Sequence, residues 1–386
     1  MILGVDLFLG EGLWRSYSNK RIAILTNASG VTSNLTYTVE ELLARGLKLE
    51  GVLVPEHGFW TFEGAGEVFK SYYDDYLGVP VLRFYGSDYD EVRRSLENVD
   101  VVIVDIQDLG LRFYTYISAV IDLIDIFSDV GGSEILILDR PNPLGGIVLE
   151  GPIARDSLRS YISRYSIPVR YGATIGELSR LYAYEKSRDI DIKVIPVRGW
   201  RRSDDILDIE SHWIPPSPAI PTPDTVFAYA STVYLEPTNI SEGRGSYTPF
   251  KIFGAPFIDP RKLAEELNKR IDPDIVRFRP LFFKPQTGKH AEKICGGVFM
   301  HIIRRNRKRY KAFNVGLIIL RTLYELYESQ IILRKIGDLY GIDFLIGDIR
   351  AREVIFGRKS LEEYLEEIET EIKAYEERLK PFIMYK

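Results

Sequence analysis

The sequence predicts an α/β protein, with a doubly wound, mostly parallel sheet followed by a smaller α+β domain. Three observations carry that expectation. Short continuous apolar runs recur along the first half of the chain, segments with helical spacing separate them, and a proline-rich stretch at residues 213–223 precedes a mixed pattern. Runs that are continuous rather than alternating suit strands covered on both faces, because a parallel sheet carries helices on each side.

The strand-like runs are residues 21–25, 51–54, 79–84, 99–106, 134–138 and 192–197. After the first, Thr38 with Glu41 forms a capping-box pattern for a helix that should stop at Gly46. Ser87 can cap the next helix, to about Leu96, and residues 114–127 are apolar at helical spacing. Thr174 with Glu177 opens another helix, to about Ser187. Repeated β-α-β units of this kind predict parallel strands joined by right-handed crossovers. Five prolines within residues 213–223 make a stiff, extended segment, which predicts a first domain at 1–224 and a second at 225–386. The second domain reads as a helix at 260–270, strands at 276–283 and 297–303, a helix at 314–328 and a last helix opened by Ser360 with Glu363. Leu361, Leu365, Ile368, Ile372 and Leu379 form one stripe of that helix, expected to pack on its own domain. The basic cluster at 304–309 reads as a solvated turn.

Composition excludes several classes of function. At 386 residues, with 45% apolar and 27% charged residues and a net charge of −5, the chain is a globular protein of about two domains, without the basic excess of a nucleic-acid binder. Cys295 is the one cysteine, so neither an intrachain disulfide nor a cysteine-based metal site can form, which fits a reducing compartment or a fold that needs no staple. The first residues lack a basic region and an apolar stretch of signal-peptide length, and no later segment approaches about 20 uninterrupted apolar residues, so a cytoplasmic protein without a membrane partner is expected. No Gly-x-Gly-x-x-Gly or Walker loop follows a strand, no Gly-x-Ser-x-Gly elbow occurs, and His57, His212, His290 and His301 show no ligand spacing. Neither a metal nor an organic cofactor is expected.

Polar residues instead gather where strands should end. Pro55-Glu56-His57-Gly58-Phe59 follows the second run, and ligands of open α/β sheets bind outside the carboxyl ends of strands, so Glu56 is either a candidate general acid or base or a helix cap. Residues 105–116 hold Asp105, Gln107, Asp108, Arg112, Tyr114 and Tyr116, which either hydrogen-bond and stack on a sugar or base ring or form a rim network in which Arg112 neutralises Asp108. Asp139-Arg140-Pro141-Asn142-Pro143 repeats the arrangement one strand later, and Thr26-Asn27-Ala28-Ser29-Gly30 provides a fourth rim loop. Beyond the proline-rich stretch, Asn239, Glu242 and Arg244 lie in a glycine-containing loop that suits either a cleft wall or a tight turn with an ion pair. With phosphate, metal and serine chemistry set aside, carboxylate chemistry on a neutral polar substrate remains, of which glycoside hydrolysis is the commonest form.

Taken together, Pro55-Glu56-His57-Gly58-Phe59 with Gly64-Ala65-Gly66-Glu67, the stretch Asp105 to Tyr116, Leu138 to Pro143, Ser241-Glu242-Gly243-Arg244-Gly245 and Gly254-Ala255-Pro256, in that order, resemble the NamZ-like exo-β-N-acetylmuramidase family along essentially the whole chain. The resemblance implies a Rossmann-like N-terminal domain, a smaller C-terminal domain, and removal of N-acetylmuramic acid from the non-reducing end of peptidoglycan fragments in a cleft between them. It implies that Glu56 is the catalytic carboxylate, with Asp105, Asp108, Asp139 and Glu242 as candidates for a second acid and either retention or inversion as the outcome. Asn27, His57, Gln107, Arg112, Tyr114, Asp139, Arg140, Asn142, Asn239, Glu242 and Arg244 are the expected substrate-binding residues, and a muropeptide or amino-sugar glycoside is the expected partner. Ala28, Trp60, Tyr171, Ala219 and Pro237 depart from the pattern of that family; a His-Gly-Met-Thr run, for example, becomes Tyr171-Gly172-Ala173-Thr174. A non-catalytic carbohydrate-binding protein on the same fold is the alternative.

Overall fold

The computed structural model describes residues 1–86, 89–209 and 211–386. The chain divides into two compact units, one of residues 1–148, 171–221 and 376–386, the other of residues 149–170 and 222–375.

The first unit is built on a seven-stranded sheet. In chain order its elements are α1 (Gly4–Gly10), β1 (Arg21–Thr26), α2 (Thr38–Ala44), β2 (Lys48–Val54), β3 (Tyr72–Asp74), β4 (Val79–Arg83), α3 (Tyr89–Leu96), β5 (Val101–Asp105), α4 (Thr115–Asp129), β6 (Glu134–Leu138), α5 (Ile175–Glu185) and β7 (Asp191–Ile195). The strands lie in the order β3-β4-β2-β1-β5-β6-β7, all parallel except β3, which runs antiparallel at the edge. The expected doubly wound sheet is therefore present. The chain begins at central β1, lays β2 and β4 on one side, and then crosses to β5, β6 and β7 on the other, so the topological switch point falls between β1 and β5. Ligands of such sheets bind outside that point.

The buried runs explain why these segments are strands. Val52, Leu53 and Val54 of β2 and Val102 to Val104 of β5 are almost fully buried, and Ile22, Ile24, Val52, Val54, Ile103 and Leu136 join one core with Phe8, Val39 and Leu42. Strand β2 stops at Pro55, which has no N–H to donate to a neighbouring strand. Several expectations need correction. Helix α1 and strand β3 have no counterpart in the sequence reading, and Thr38 does not cap α2: the N-cap is Tyr37, and the Thr38 hydroxyl donates to Asp105 Oδ2 at 2.5 Å. Burial decides this, because the fully buried Asp105 carboxylate needs a donor and the Thr38 hydroxyl supplies it. The Thr174–Glu177 capping box does form, with Glu177 N–H donating to Thr174 Oγ1 and Thr174 N–H to Glu177 Oε2. The expected cap at Ser87 lies outside the described residues.

The second unit contains α6 (Pro223–Thr232), β8 (Ile252–Ala255), α7 (Pro260–Arg270), β9 (Val276–Phe283), β10 (Cys295–Ile302), α8 (Ala312–Tyr327), the short strands β11 (Lys335–Ile336) and β12 (Leu339–Tyr340), α9 (Gly341–Ile346), α10 (Ala351–Ile355) and most of α11 (Leu361–Leu379). Strands β8, β10 and β9 form an antiparallel sheet in that order. Helix α6 begins at Pro223, the last proline of the stretch read as a boundary, where a missing N–H costs a helix nothing. The Ser360–Glu363 capping box forms at α11, and Tyr364, Ile368, Tyr375 and Leu379 are its most buried residues, so tyrosines share the stripe expected of leucines. Residues 304–309 make a 3-10 turn with no buried residue, as expected of a solvated basic turn. Among the described residues no helix is long and apolar enough to cross a membrane.

Candidate active site

The loop after β2 fixes Glu56. Residues His57 and Gly58 both take left-handed backbone conformations, with φ of 76° and 70°, so the chain doubles back immediately after the carboxylate. A non-glycine residue with positive φ is uncommon and costs energy, and such residues cluster where function requires a particular turn. Glu56 is 8% exposed. Its Oε1 accepts the Gly66 N–H at 2.8 Å and its Oε2 accepts the Thr115 hydroxyl at 2.7 Å, so both oxygens are oriented. Thr115 is the first residue of the 15-residue helix α4, and the partial positive charge of that helix terminus favours a nearby carboxylate. His57 Nδ1 lies 2.8 Å from the Glu63 carbonyl, which can only accept, so Nδ1 carries a proton and Nε2 is left to accept in the neutral ring. Burial, and to a smaller extent the charge of Glu56, raises the pKa of the Tyr85, Tyr114 and Tyr116 hydroxyls, so these aromatic groups stay neutral in the surroundings of the carboxylate.

The loop after β5 supplies a second carboxyl group in a different environment. Asp108 Oδ2 accepts the Gly110 N–H at 2.6 Å and the Tyr171 hydroxyl. Burial pushes the Asp108 carboxyl up to about 7, against the opposing effect of the Tyr171 and Gly110 hydrogen bonds. Tyr171, a departure from the family pattern, is thus a direct partner of a candidate catalytic acid. Gly110 has a φ of 73°, and a Cβ there would sit 2.2 Å from Asn142 Oδ1, so only glycine allows the two loops to meet.

Asp105 is engaged differently. Its carboxylate is fully buried and forms a two-point ion pair with Arg140, Nε to Oδ1 at 2.6 Å and Nη2 to Oδ2 at 3.0 Å, while Thr38 donates to Oδ2. Gln107 donates through Nε2 to the carbonyls of Asp108 and Pro141. Asp139 Oδ1 accepts the Gly176 N–H at 3.0 Å and Oδ2 accepts the Tyr385 hydroxyl, and burial pushes this carboxyl up to about 6. Asn142 donates to the Ala173 carbonyl and accepts from Leu144 N–H, and Asn27 donates to the Tyr116 hydroxyl and the Pro216 carbonyl. Arg112 is 1% exposed, among the largest fully buried side chains. Eleven sequence candidates, Asn27, Glu56, His57, Asp105, Gln107, Asp108, Arg112, Tyr114, Asp139, Arg140 and Asn142, therefore belong to one unit and follow β1, β2, β5 and β6 at their carboxyl ends.

The other three belong to the second unit and form a network within it. Glu242 pairs with Lys289 at 2.8 Å and with Arg244 at 3.2 Å, Arg244 also pairs with Glu236 at 2.5 Å, and Asn239 donates to the Gln330 carbonyl. These two cations hold the Glu242 carboxyl below its ordinary value although burial alone would raise it. Sequence reasoning passed over Thr115 and Tyr171 as site residues. The first lay inside the long motif, and its place at the start of a helical pattern was the available signal; the second carried no signal beyond its departure from the family.

Residues 22–224 match the N-terminal domain of exo-β-N-acetylmuramidase NamZ, and residues 227–385 match its C-terminal domain. The peptidoglycan β-N-acetylmuramidase NamZ of Bacillus subtilis is 35% identical over 383 residues, covering 99% of this chain and 91% of that protein. Two crystal structures of DUF1343 family proteins from Bacteroides fragilis align with all of this chain and 99% of each of theirs, with TM-scores of 0.87 and 0.78 at 29% and 28% identity.

Proposed function

The chain belongs to the NamZ family of exo-β-N-acetylmuramidases, and from that premise we propose that it cleaves a terminal N-acetylmuramic acid from peptidoglycan fragments with Glu56 as the catalytic carboxylate. The protein is a glycosidase of that family, and nothing in the comparisons favours a non-catalytic binding protein. The observation that carries the assignment is the fixing of both Glu56 oxygens, by Gly66 N–H and by Thr115 at the start of α4, at the carboxyl edge of the sheet.

Glycoside hydrolysis needs two carboxyl groups held in different protonation states. Asp108 is the second acid in this reading. Burial keeps it protonated to about neutral pH, so it can give a proton to the leaving-group oxygen while the helix terminus keeps Glu56 suited to stabilise positive charge on the sugar ring or to activate water. Asp105 is held in a two-point ion pair with Arg140 and Asp139 anchors Tyr385, so this reading gives both a positioning role. His57, Tyr114, Asn27, Gln107, Arg112, Arg140 and Asn142, all in the first unit, are the substrate-binding residues of this reading. The test is turnover of an aryl β-glycoside of N-acetylmuramic acid. Glu56→Gln is expected to lower kcat/KM by about 10²- to 10⁴-fold, the usual contribution of proton-transfer catalysis. Undiminished turnover would remove Glu56 from the reaction. A cytoplasmic location is part of the proposal, supported by a lone buried cysteine that needs no oxidising compartment. Detection of the protein only outside the cytoplasmic fraction by immunoblot would overturn that part.

A further inference from the structure

Between the motifs Pro55-Glu56-His57-Gly58-Phe59 and Gly64-Ala65-Gly66-Glu67 stands Glu63, in the loop that joins β2 to β3 within the first unit. Neither motif includes it, and the proposed reaction gives it no role. The loop folds back so that the half-buried Glu63 lies over the turn that follows Glu56: a Cβ at Gly58 would collide with Glu63 Oε2 and lie 3.0 Å from Oε1. Only glycine leaves room for a carboxyl group there. Three hydrogen bonds, each of 2.8 Å, tie the same loop down. His57 Nδ1 donates to the Glu63 carbonyl, Gly64 N–H donates to Glu67 Oε2, and Gly66 N–H donates to Glu56 Oε1. The last is one of the two bonds that orient Glu56, so the position of Gly66 bears directly on how that carboxylate points.

The Glu63 side chain is held against this turn at a cost. Its Oε2 is buried and has no hydrogen-bond partner among the described residues, an arrangement that folded proteins rarely keep without a reason. Thr61, like His57, takes a left-handed backbone conformation, with φ of 57°, so the approach to Glu63 is strained as well. Burial raises the Glu63 carboxyl above its ordinary value, with a smaller push from Glu67, against the opposing effect of its own main-chain N–H and of His57. A neutral carboxyl group can occupy such a place where a carboxylate would seek water.

We propose that Glu63 is a positioning residue for Glu56: packed over Gly58, its side chain pins the loop so that the Gly66 N–H stays on Glu56 Oε1. It acts by contact, through Glu56, and exchanges no proton with substrate. The catalytic consequence rests on the proposed role of Glu56; the pinning of the loop does not.

Two measurements on the full chain test the two parts separately. Amide hydrogen exchange, followed by mass spectrometry of peptides containing Gly66, reads the loop. In Glu63→Ala this segment is expected to exchange about tenfold faster than in wild type, and in Glu63→Gln, which keeps the shape of the neutral acid, at the wild-type rate. Unchanged protection in Glu63→Ala would overturn the proposal whatever Glu56 does. Turnover of the aryl β-glycoside reads the consequence. Glu63→Ala is expected to lower kcat about tenfold with KM little changed, and Glu63→Gln to recover most of that loss. Because Glu63 acts through Glu56, adding Glu63→Ala to Glu56→Gln is expected to cause no further loss. A further tenfold loss in the double variant, or an equal loss in Glu63→Gln, would overturn the positioning role. Undiminished turnover in Glu56→Gln, together with faster exchange in Glu63→Ala, would instead sink the role of Glu56 and support the pinning of the loop.

Discussion

At the scale of single residues, the environment of each carboxyl group separates the candidates. Glu56, Asp108 and Asp139 follow strands and Asp105 ends one, yet Asp105 is locked in an ion pair with Arg140, whereas Glu56, Asp108 and Asp139 accept from neutral groups. Asp108 also makes stability depend on pH. Its carboxyl titrates near 4 in the unfolded chain but is pushed up to about 7 by burial, so the folded state holds a proton that the unfolded state releases. Stability associated with this group is therefore complete below about pH 4 and declines as pH rises through about 7. Asp108→Asn is expected to remove that decline, so its stability relative to wild type should rise between those limits by on the order of a few kcal/mol, measured by urea unfolding across pH. A difference that is flat with pH would show that Asp108 ionises normally. Turnover that depends on protonated Asp108 should fall above about pH 7, and Tyr171→Phe, by deleting a hydrogen bond that favours the carboxylate, should move that fall to higher pH. The Glu56 turn was legible in Pro55-Glu56-His57-Gly58; the upward shift of Asp108 was not, because burial depends on residues distant in the chain.

Among the elements, capping patterns were readable only where no tertiary partner competed for the same hydroxyl. Thr174 caps α5 and Ser360 caps α11, as their sequences suggest, whereas Thr38 turns from the end of α2 to Asp105. Thr174→Ala is therefore expected to cost about 1 kcal/mol in denaturant unfolding, as loss of an N-cap does elsewhere. A much larger loss would mean that Glu177, whose carboxylate is also held by Arg202 in a buried ion pair, had lost its position as well. The continuous apolar runs located every parallel strand, and in the central ones burial on both faces leaves that signature, whereas edge strand β7 has no fully buried residue. Edge strand β3, with Tyr72 and Tyr73 exposed, has no such run, and α1 is short enough that its apolar residues read as a strand or a helix equally well.

For the whole molecule, the ends of the chain matter more than the sequence suggests. The C-terminal tail returns to the first unit, where Tyr385 donates to Asp139 and accepts from Val197 N–H, Met384 N–H donates to Glu177, and the Lys386 carbonyl accepts from Arg202 N–H. Deleting residues 384–386 is expected to take one buried hydrogen-bond partner each from Asp139 and Glu177 and to lower stability by about 2 kcal/mol, since buried polar groups that lose a partner are not compensated for their desolvation. Calorimetric unfolding of the truncated chain tests this, and an unchanged transition would make the tail dispensable. By itself the sequence determined the α/β class, the parallel strands and the loops in which Glu56 and Asp108 lie, because periodicity and strand ends are local properties of the chain. Only the tertiary structure decided which partners hold each acid, that Arg140 pairs with Asp105, and that Tyr385 closes on Asp139. Those outcomes depend on desolvation and on hydrogen-bond partners tens to hundreds of residues apart, which no local pattern encodes.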